Sequence, residues 1–243
     1  MKTLVLVPTY NERDNVVPLI TQILELPASV DLLVIDDASP DGTADIVQQN
    51  FADHPRVHLL KRSGKLGLGT AYAAGFHYAF ENSYEAAITM DADFSHNPRY
   101  IPELIRASAQ ADVVIGSRYV DGGATENWGW LRIFISRIAN LMAHSVLSLQ
   151  PADCTSGYRL YHCRALHELD FEGVVAEGYS YLVEILYRAE SRNLRIVEIP
   201  ITFIERRAGK SKISRKEIFK AIQTIFRLRF GNASKTKRLV TQA

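Results

Sequence analysis

Ala86-Ala87-Ile88-Thr89-Met90-Asp91-Ala92-Asp93 is the stretch on which the fold of this chain turns. A short, nearly apolar run reads as a buried strand. It empties directly into two carboxylates, which places Asp91 and Asp93 at its carboxyl end, where open α/β sheets bind their ligands. Alternate residues of an extended chain share a face, so both carboxylates can converge on one cation. Hard divalent cations such as Mg²⁺ are held by one or two carboxylates together with substrate phosphates. A lone Asp-x-Asp would be weak evidence, but two more apolar runs end alike. Leu4-Val5-Leu6-Val7 leads into Pro8-Thr9-Tyr10-Asn11-Glu12, and Leu32 to Ile35 leads into Asp36-Asp37-Ala38-Ser39-Pro40-Asp41-Gly42-Thr43.

Outward from these runs, strands are predicted at 3–7, 31–36, 57–61, 86–90 and 112–116, with helices between them at 14–26, 43–51, 68–81 and 98–109. Val16, Leu19, Ile20, Ile23 and Leu24 form the stripe of a helix lying on a sheet. Near-continuous apolar strands mark a mostly parallel sheet with helices on both faces. After Gly116 the alternation loosens: an amphipathic segment at 131–149, a strand at 157–162, a helix at 179–192, a strand at 195–203 and a last helix at 214–230. The expected organisation is one α/β domain over 1–230, split functionally at 117/118, followed by a basic, flexible tail at 231–243.

The 243 residues suffice for a sizeable core, and a net charge of +1 gives no reason to expect nucleic-acid binding. Positive charge is concentrated between Arg206 and Lys220 and again at Lys235, Lys237 and Arg238. Cys154 and Cys163 are too few for a disulfide framework, which favours a reducing compartment. No signal peptide and no apolar stretch of the roughly 18 residues a membrane span needs is visible. The expectation is a cytoplasmic protein, soluble or peripheral to a membrane.

Gly67-Leu68-Gly69 invites a dinucleotide-binding reading, but the sixth position of that fingerprint, which packs helix on strand, holds Tyr72. The dehydrogenase class fails. The glycines read as a helix-entry turn or as a loop that approaches a ligand closely, with Lys65 beside it. Asp41-Gly42-Thr43 reads as a turn and helix cap. His96, next to Asn97-Pro98, reads as a turn residue.

Taken together, Pro8-Thr9-Tyr10-Asn11-Glu12, Asp36-Asp37-x-Ser39-x-Asp41-Gly42-Thr43, Lys65 to Ala71 and Asp91-Ala92-Asp93 resemble the inverting glycosyltransferases of GT-A fold. Within them, Gly116-Ser117-Arg118-Tyr119, Thr155-Ser156-Gly157-Tyr158-Arg159 and Arg206-x-x-Gly209-x-Ser211-Lys212 are similar to the dolichyl-phosphate (polyprenyl-phosphate) mannose synthase family, over about residues 2 to 230. The resemblance implies transfer of mannose from GDP-mannose to a polyprenyl phosphate with inversion. Alternatives are UDP-glucose or another sugar nucleotide as donor, and a non-lipid acceptor.

The same resemblance assigns roles. Residues 1–117 would form the nucleotide-sugar half and 118–230 the acceptor half. Pro8, Tyr10, Glu12, Ile35 (through its backbone), Asp37, Asp91, Ala92, Asp93, Arg206 and Lys212 would bind the donor. Asp91 and Asp93 would hold Mg²⁺ or Mn²⁺, with Ser95 at a position where relatives sometimes carry Gln. Arg118, Arg132 and Ser136 would bind the acceptor phosphate, and Arg118 would join Asp91 and Asp93 in the catalytic set. Arg suits this role because its planar fork grips phosphate oxygens bidentately, and residues 132 and 136 share a helix face. Asp153 would either orient an Arg or act in catalysis. The apolar segment around 133–147 reads equally as core or as a lipid-facing helix, and the basic last helix as core packing or membrane docking. The implied partners are the sugar nucleotide, the lipid acceptor, a membrane surface and, in some relatives, a small membrane subunit.

Overall fold

The computed structural model describes residues 1–174, 176, 178–205 and 215–231, the last segment by backbone alone up to residue 221. Its elements in chain order are β1 (Thr3–Thr9), α1 (Arg13–Leu24), β2 (Asp31–Asp36), α2 (Thr43–Phe51), β3 (Val57–Lys61), α3 (Leu68–Glu81), β4 (Ala86–Thr89), α4 (Ile101–Ala107) and β5 (Val113–Ser117). There follow β6 (Ala124–Glu126), α5 (Trp130–Leu147), β7 (Arg159–His162), α6 (Cys163–Leu169), α7 (Tyr179–Ser191), β8 (Ile196–Pro200), β9 (Thr202–Ile204) and α8 (Arg215–Gly231).

Seven strands form one sheet in the order β3-β2-β1-β4-β7-β5-β8. All its pairings are parallel except the two made by β7, which runs antiparallel to β4 and β5. Strands from both halves of the chain share this sheet. The carboxyl ends of β1, β2, β4 and β5 therefore lie along one edge, and the amino end of β7 arrives at the same edge.

Both faces are covered, as the apolar strands predict. Alternation sends Leu4, Leu6, Leu33 and Ile35 to a core shared with α3, α6 and α7, and Val5, Val7, Leu32 and Val34 to a core shared with α1 and α4. Gly75 lets α3 lie close on the sheet, since a Cβ there would stand 2.8 Å from Leu6 and Ile35 side chains. The helix expected at 98–109 is a short α-helix flanked by 3₁₀ turns at Pro98–Tyr100 and Ser108–Gln110.

The strand expected at 195–203 is two strands. At Ile201 the chain turns a corner: its N–H donates to the Ser117 carbonyl at 2.9 Å while its own carbonyl accepts from Ala124 N–H at 3.0 Å. β8 thus stays in the main sheet, and β9 pairs with β6 in a separate parallel ribbon that sequence reading did not anticipate. Among the described residues no helix is long and apolar enough to cross a membrane.

Candidate active site

Three polar turns lie at the carboxyl edge of the sheet. The turns after β1, β2 and β4 each carry a non-glycine residue in the left-handed region: Asn11 (φ 61°), Ala38 (φ 54°) and Phe94 (φ 63°). Such residues cost free energy unless their surroundings over-determine them, and they concentrate at ligand sites. Here side chains supply the constraint. Asp36, 1% exposed, accepts from Thr9 Oγ1 at 2.8 Å, from Ser39 Oγ at 2.6 Å and from Ser39 N–H at 2.9 Å, locking the β1 and β2 turns together. Asp41 serves both neighbouring helices, accepting from Arg13 N–H (3.1 Å), Thr43 N–H (3.0 Å) and Thr43 Oγ1 (2.6 Å). Its carboxyl sits below the ordinary range because these bonds outweigh the partial burial that opposes them. The turn reading of Asp41 is met, while the N-cap of α2 is Gly42, one residue later, with Asp41 accepting from the first helical amide.

Asp37 is placed at the same edge but holds protein groups. Oδ2 accepts from Leu66 N–H (3.1 Å) and Gly67 N–H (3.2 Å), and Oδ1 faces Arg62 Nη1 at 2.9 Å, with both side chains under 10% exposed. Asp37 therefore fastens the loop that enters α3. Gly67 (φ +96°) is the hinge of that entry, a conformation any side chain would strain. Lys65 Nζ lies 4.0 Å over the Tyr10 ring, so the loop before α3 packs on the turn after β1. Glu12 accepts from Asn15 Nδ2 at 2.8 Å at the start of α1. Pro8 is half-buried beside it, and the Ile35 side chain is wholly in the core, leaving only its backbone toward the edge.

Asp91 and Asp93 flank the tight turn after β4. Asp93, 4% exposed, accepts from both Ser95 N–H (3.0 Å) and Ser95 Oγ (2.5 Å) through Oδ1. The Asp91 side chain is 31% exposed. Ala92, between them, is buried. His96 is a turn residue, as its context suggested. Its Nδ1 accepts from Asp91 N–H at 2.9 Å, and burial lowers its pKa against the opposing charges of Asp91 and Asp93. It stacks on Tyr158 at 5.0 Å. No group of three or more His, Cys, Asp or Glu positioned for a metal occurs among the described residues. Hard divalent cations are commonly held by only one or two carboxylates, their remaining ligands coming from substrate and water.

The opposite side is built around Arg118, which leaves the end of β5. Its Nε and Nη2 donate to Asp153 Oδ2 and Oδ1, both at 2.7 Å, and its backbone N–H to Oδ2 at 3.0 Å. Arg118 Nη2 also reaches Thr155 Oγ1 at 2.7 Å. Burial alone would raise the Asp153 pKa; the Arg118 charge and bonds override it and hold the carboxyl below its usual range. Of the two roles open to Asp153, the geometry supports orienting an Arg. Asp153 itself is held through its N–H by Glu198 at 2.9 Å. Asn140 accepts from Cys154 N–H at 2.8 Å and donates to Thr155 Oγ1 at 3.2 Å, tying α5 to the same turn.

Arg132 and Ser136 are brought to this side. The Arg132 guanidinium lies 4.1 Å over the Trp128 ring, and Arg118 approaches the same ring at 5.6 Å. Arg132 Nη1 pairs with Glu205 at 3.0 Å. Ser136 Oγ accepts from Tyr119 OH at 2.8 Å. Sequence reading missed Trp128, Asn140, Glu198, Arg62 and Glu205. Asn140 alone had a signal, since 132, 136 and 140 form a polar stripe at helical spacing through an otherwise apolar helix. Arg206 and Lys212 lie outside the described residues, as do Gly209 and the tail from 232.

Beyond this stripe α5 turns apolar residues outward: Trp130 (78% exposed), Leu131, Phe134, Ile138 and Leu141 (65%). α8 packs beside α5 and adds exposed Phe226 and Phe230, stacked at 6.1 Å. Only Asn140, Ala143 and Leu147 of α5 are buried, so this helix is a surface element rather than core.

Residues 4–170 match the family described as glycosyl transferase family 2. An undecaprenyl-phosphate mannosyltransferase of Micrococcus luteus is 40% identical over 227 residues, 93% of this chain and 93% of that protein. A polyprenol monophosphomannose synthase of Mycolicibacterium smegmatis is 41% identical over 223 residues, 91% of this chain and 84% of that one. Among solved structures, glucosyl-3-phosphoglycerate synthase of Mycobacterium tuberculosis with Mn²⁺, UDP and glucosyl-3-phosphoglycerate superimposes with a TM-score of 0.66 at 18% identity, covering 95% of this chain and 80% of that one. A mannosyltransferase of Pyrobaculum calidifontis in complex with GDP-Man and Mn²⁺ does so with a TM-score of 0.62 at 16% identity, covering 96% and 64%. These structures share the fold.

Proposed function

The chain belongs to glycosyl transferase family 2 and has a GT-A-type α/β fold, and from that premise we propose that it transfers mannose from GDP-mannose to a polyprenyl phosphate with inversion. Support for the sugar and the acceptor comes from the two relatives of about 40% identity, whose names carry both. The observation that carries the reading is the Arg118–Asp153 pair. A buried, bidentately oriented guanidinium at the carboxyl edge, with Arg132 beside it, suits a phosphate monoester.

The chemistry needs few parts. A phosphate monoester carries about −1.5 to −2 charges near neutral pH, so its oxygen is a nucleophile without a general base. Arg118 and Arg132 orient that oxygen toward the anomeric carbon from the face opposite the nucleotide. The new C–O bond forms as the bond to the donor's β-phosphate breaks, and the electron pair leaves on GDP. Pro8, Tyr10, Glu12 and the Ile35 backbone line the nucleotide, and the loop fastened by Asp37 closes one side of it. A divalent cation, Mg²⁺ or Mn²⁺, held by Asp91 and Asp93 would offset the charge gathering on the leaving diphosphate. Asp93 is presented in one orientation by Ser95, as a ligand requires. Arg206 and Lys212 are assigned to the donor pyrophosphate on the resemblance alone.

A lipid acceptor brings the enzyme to a bilayer. The outward apolar stripe of α5, with Phe226, Phe230 and the exposed Arg227 and Arg229 of α8, is the surface proposed to dock peripherally. Purified protein assayed with labelled GDP-mannose and UDP-glucose, each with and without polyprenyl phosphate, tests the whole reading. Label must enter lipid only with GDP-mannose and the lipid phosphate together; transfer to a water-soluble acceptor, or from UDP-glucose in preference, overturns it.

A further inference from the structure

Two N–H donors at the acceptor side are buried without an acceptor among the described residues, Trp128 Nε1 and Arg132 Nε. Both belong to the one stacked pair, the guanidinium of Arg132 lying 4.1 Å over the indole. Three other nitrogens of the two arginines have protein partners. Arg132 Nη1 donates to Glu205, and Arg118 Nε and Nη2 donate to Asp153 and Thr155. Leaving a buried donor unmade is costly, and native structures pair nearly all of them.

The indole is itself held in place. Phe203 meets it edge-on at 5.3 Å, and Arg118 lies 5.6 Å from its centroid and 5.4 Å from that of Phe203. Trp128 thus lies within reach of both arginines, with an aromatic face for their charge and an N–H without an acceptor among the described residues. A tetrahedral phosphate accepts several such bonds at once, which a carboxylate or an uncharged sugar hydroxyl would do less fully.

We propose that Trp128 is a direct acceptor-binding residue, its indole N–H donating to the same phosphate group that Arg118 and Arg132 bind while its ring keeps Arg132 stacked and aimed. This rests on the assignment of those arginines to a phosphate acceptor. It predicts selectivity for the phosphomonoester over the free alcohol.

Trp128→Phe keeps a ring for Arg132 but removes the donor. In the full-length enzyme it should raise the KM for polyprenyl phosphate by about tenfold, as expected for one lost bond to a charged group, with kcat and the KM for sugar nucleotide within about twofold. A wild-type acceptor KM in a folded Trp128→Phe enzyme overturns the proposal. Trp128 and Trp130 are the only tryptophans, so in a Trp130→Phe background all indole emission comes from Trp128. That emission should change saturably on titration with a short-chain prenyl phosphate and stay constant with the corresponding prenol; no response to the phosphate, or an equal response to both, overturns it independently of how Trp128→Phe folds. If the wild type transfers nothing to any prenyl phosphate, the functional reading fails instead, and titration with inorganic phosphate then decides the Trp128 contact: a saturable emission change upholds it, and none overturns it.

Discussion

Asp153 and Arg118, 35 residues apart in sequence, form a two-point ion pair with both bonds at 2.7 Å, and neither side chain is more than 6% exposed. Burying two charges repays its desolvation only when geometry is this complete. The pair fixes the guanidinium at the end of β5, on the carboxyl edge of the sheet. Arg118→Gln should therefore raise the acceptor KM roughly ten- to a hundredfold, the scale of about 1.5–3 kcal/mol for a bond between charged groups. The donor Kd, by calorimetry with GDP-mannose and Mn²⁺, should change only a few-fold. Equal loss of both affinities would place Arg118 elsewhere in the reaction.

Removing the other partner tests folding. Asp153→Asn leaves a buried guanidinium without its counter-charge, and breaking such pairs costs about 3–5 kcal/mol. The pH dependence follows from sign. The folded Asp153 pKa lies below 3.8 because Arg118 overrides the opposing effect of burial. The pair's contribution is fully present above 3.8, the unfolded value, and is lost as pH falls through the folded one. Thermal midpoints of the wild type should fall more steeply below pH 4 than those of Asp153→Asn. Parallel curves would mean that the carboxyl is not held low.

If Arg132 binds the acceptor phosphate as proposed, Glu205 competes for it. Glu205 is the more exposed member of that pair, at 44% against 19%, so an incoming phosphate would displace it at modest cost. Glu205→Gln should lower the acceptor KM a few-fold, read from initial rates at saturating donor; a raised KM would show that Glu205 helps rather than competes.

With Asp91 and Asp93 proposed as the metal ligands, Asp93→Ala should abolish transfer at any Mn²⁺ concentration with the fold intact, and Asp91→Ala should be nearly as damaging. Ser95→Ala removes the 2.5 Å bond to Asp93 Oδ1 and should raise the Mn²⁺ concentration needed for half-maximal rate by about tenfold, a common scale for groups that orient ligands. Wild-type turnover of Asp93→Ala in excess chelator would refute the assignment.

Phe134→Glu and Leu141→Glu place charge in the outward stripe of α5, where both side chains are more than half exposed. Co-sedimentation with anionic vesicles should drop sharply, while transfer to acceptor in detergent micelles persists. Unchanged vesicle binding would mean that another face meets the bilayer.

The legible parts of this chain were those with local pattern. Continuous apolar strands, the Val16–Leu24 stripe and the acid-ended runs predicted the sheet and the polar turns along its carboxyl edge, because strand and helix period are written in adjacent residues. Asp153's hold on Arg118 was only one of two open roles, since partners 35 residues apart leave no spacing to read. The β6–β9 ribbon was invisible because each strand spans three residues without alternation and exists only through the Ile201 corner. Asp37 was read as a nucleotide contact; its bonds to Arg62 and to the Leu66 and Gly67 amides, which fix the carboxylate at the carboxyl edge, arise from a loop fold that the glycine spacing alone left undecided.

The measurement that bears most directly on the account is the anomeric configuration of the lipid product, read by ¹H and ³¹P NMR after incubation with GDP-α-mannose, Mn²⁺ and polyprenyl phosphate. Direct attack by the phosphate held at Arg118 predicts a single β-mannosyl phosphate, absent when polyprenol replaces the phosphate. An α-linked product, or mannosylation of the free alcohol, would contradict it.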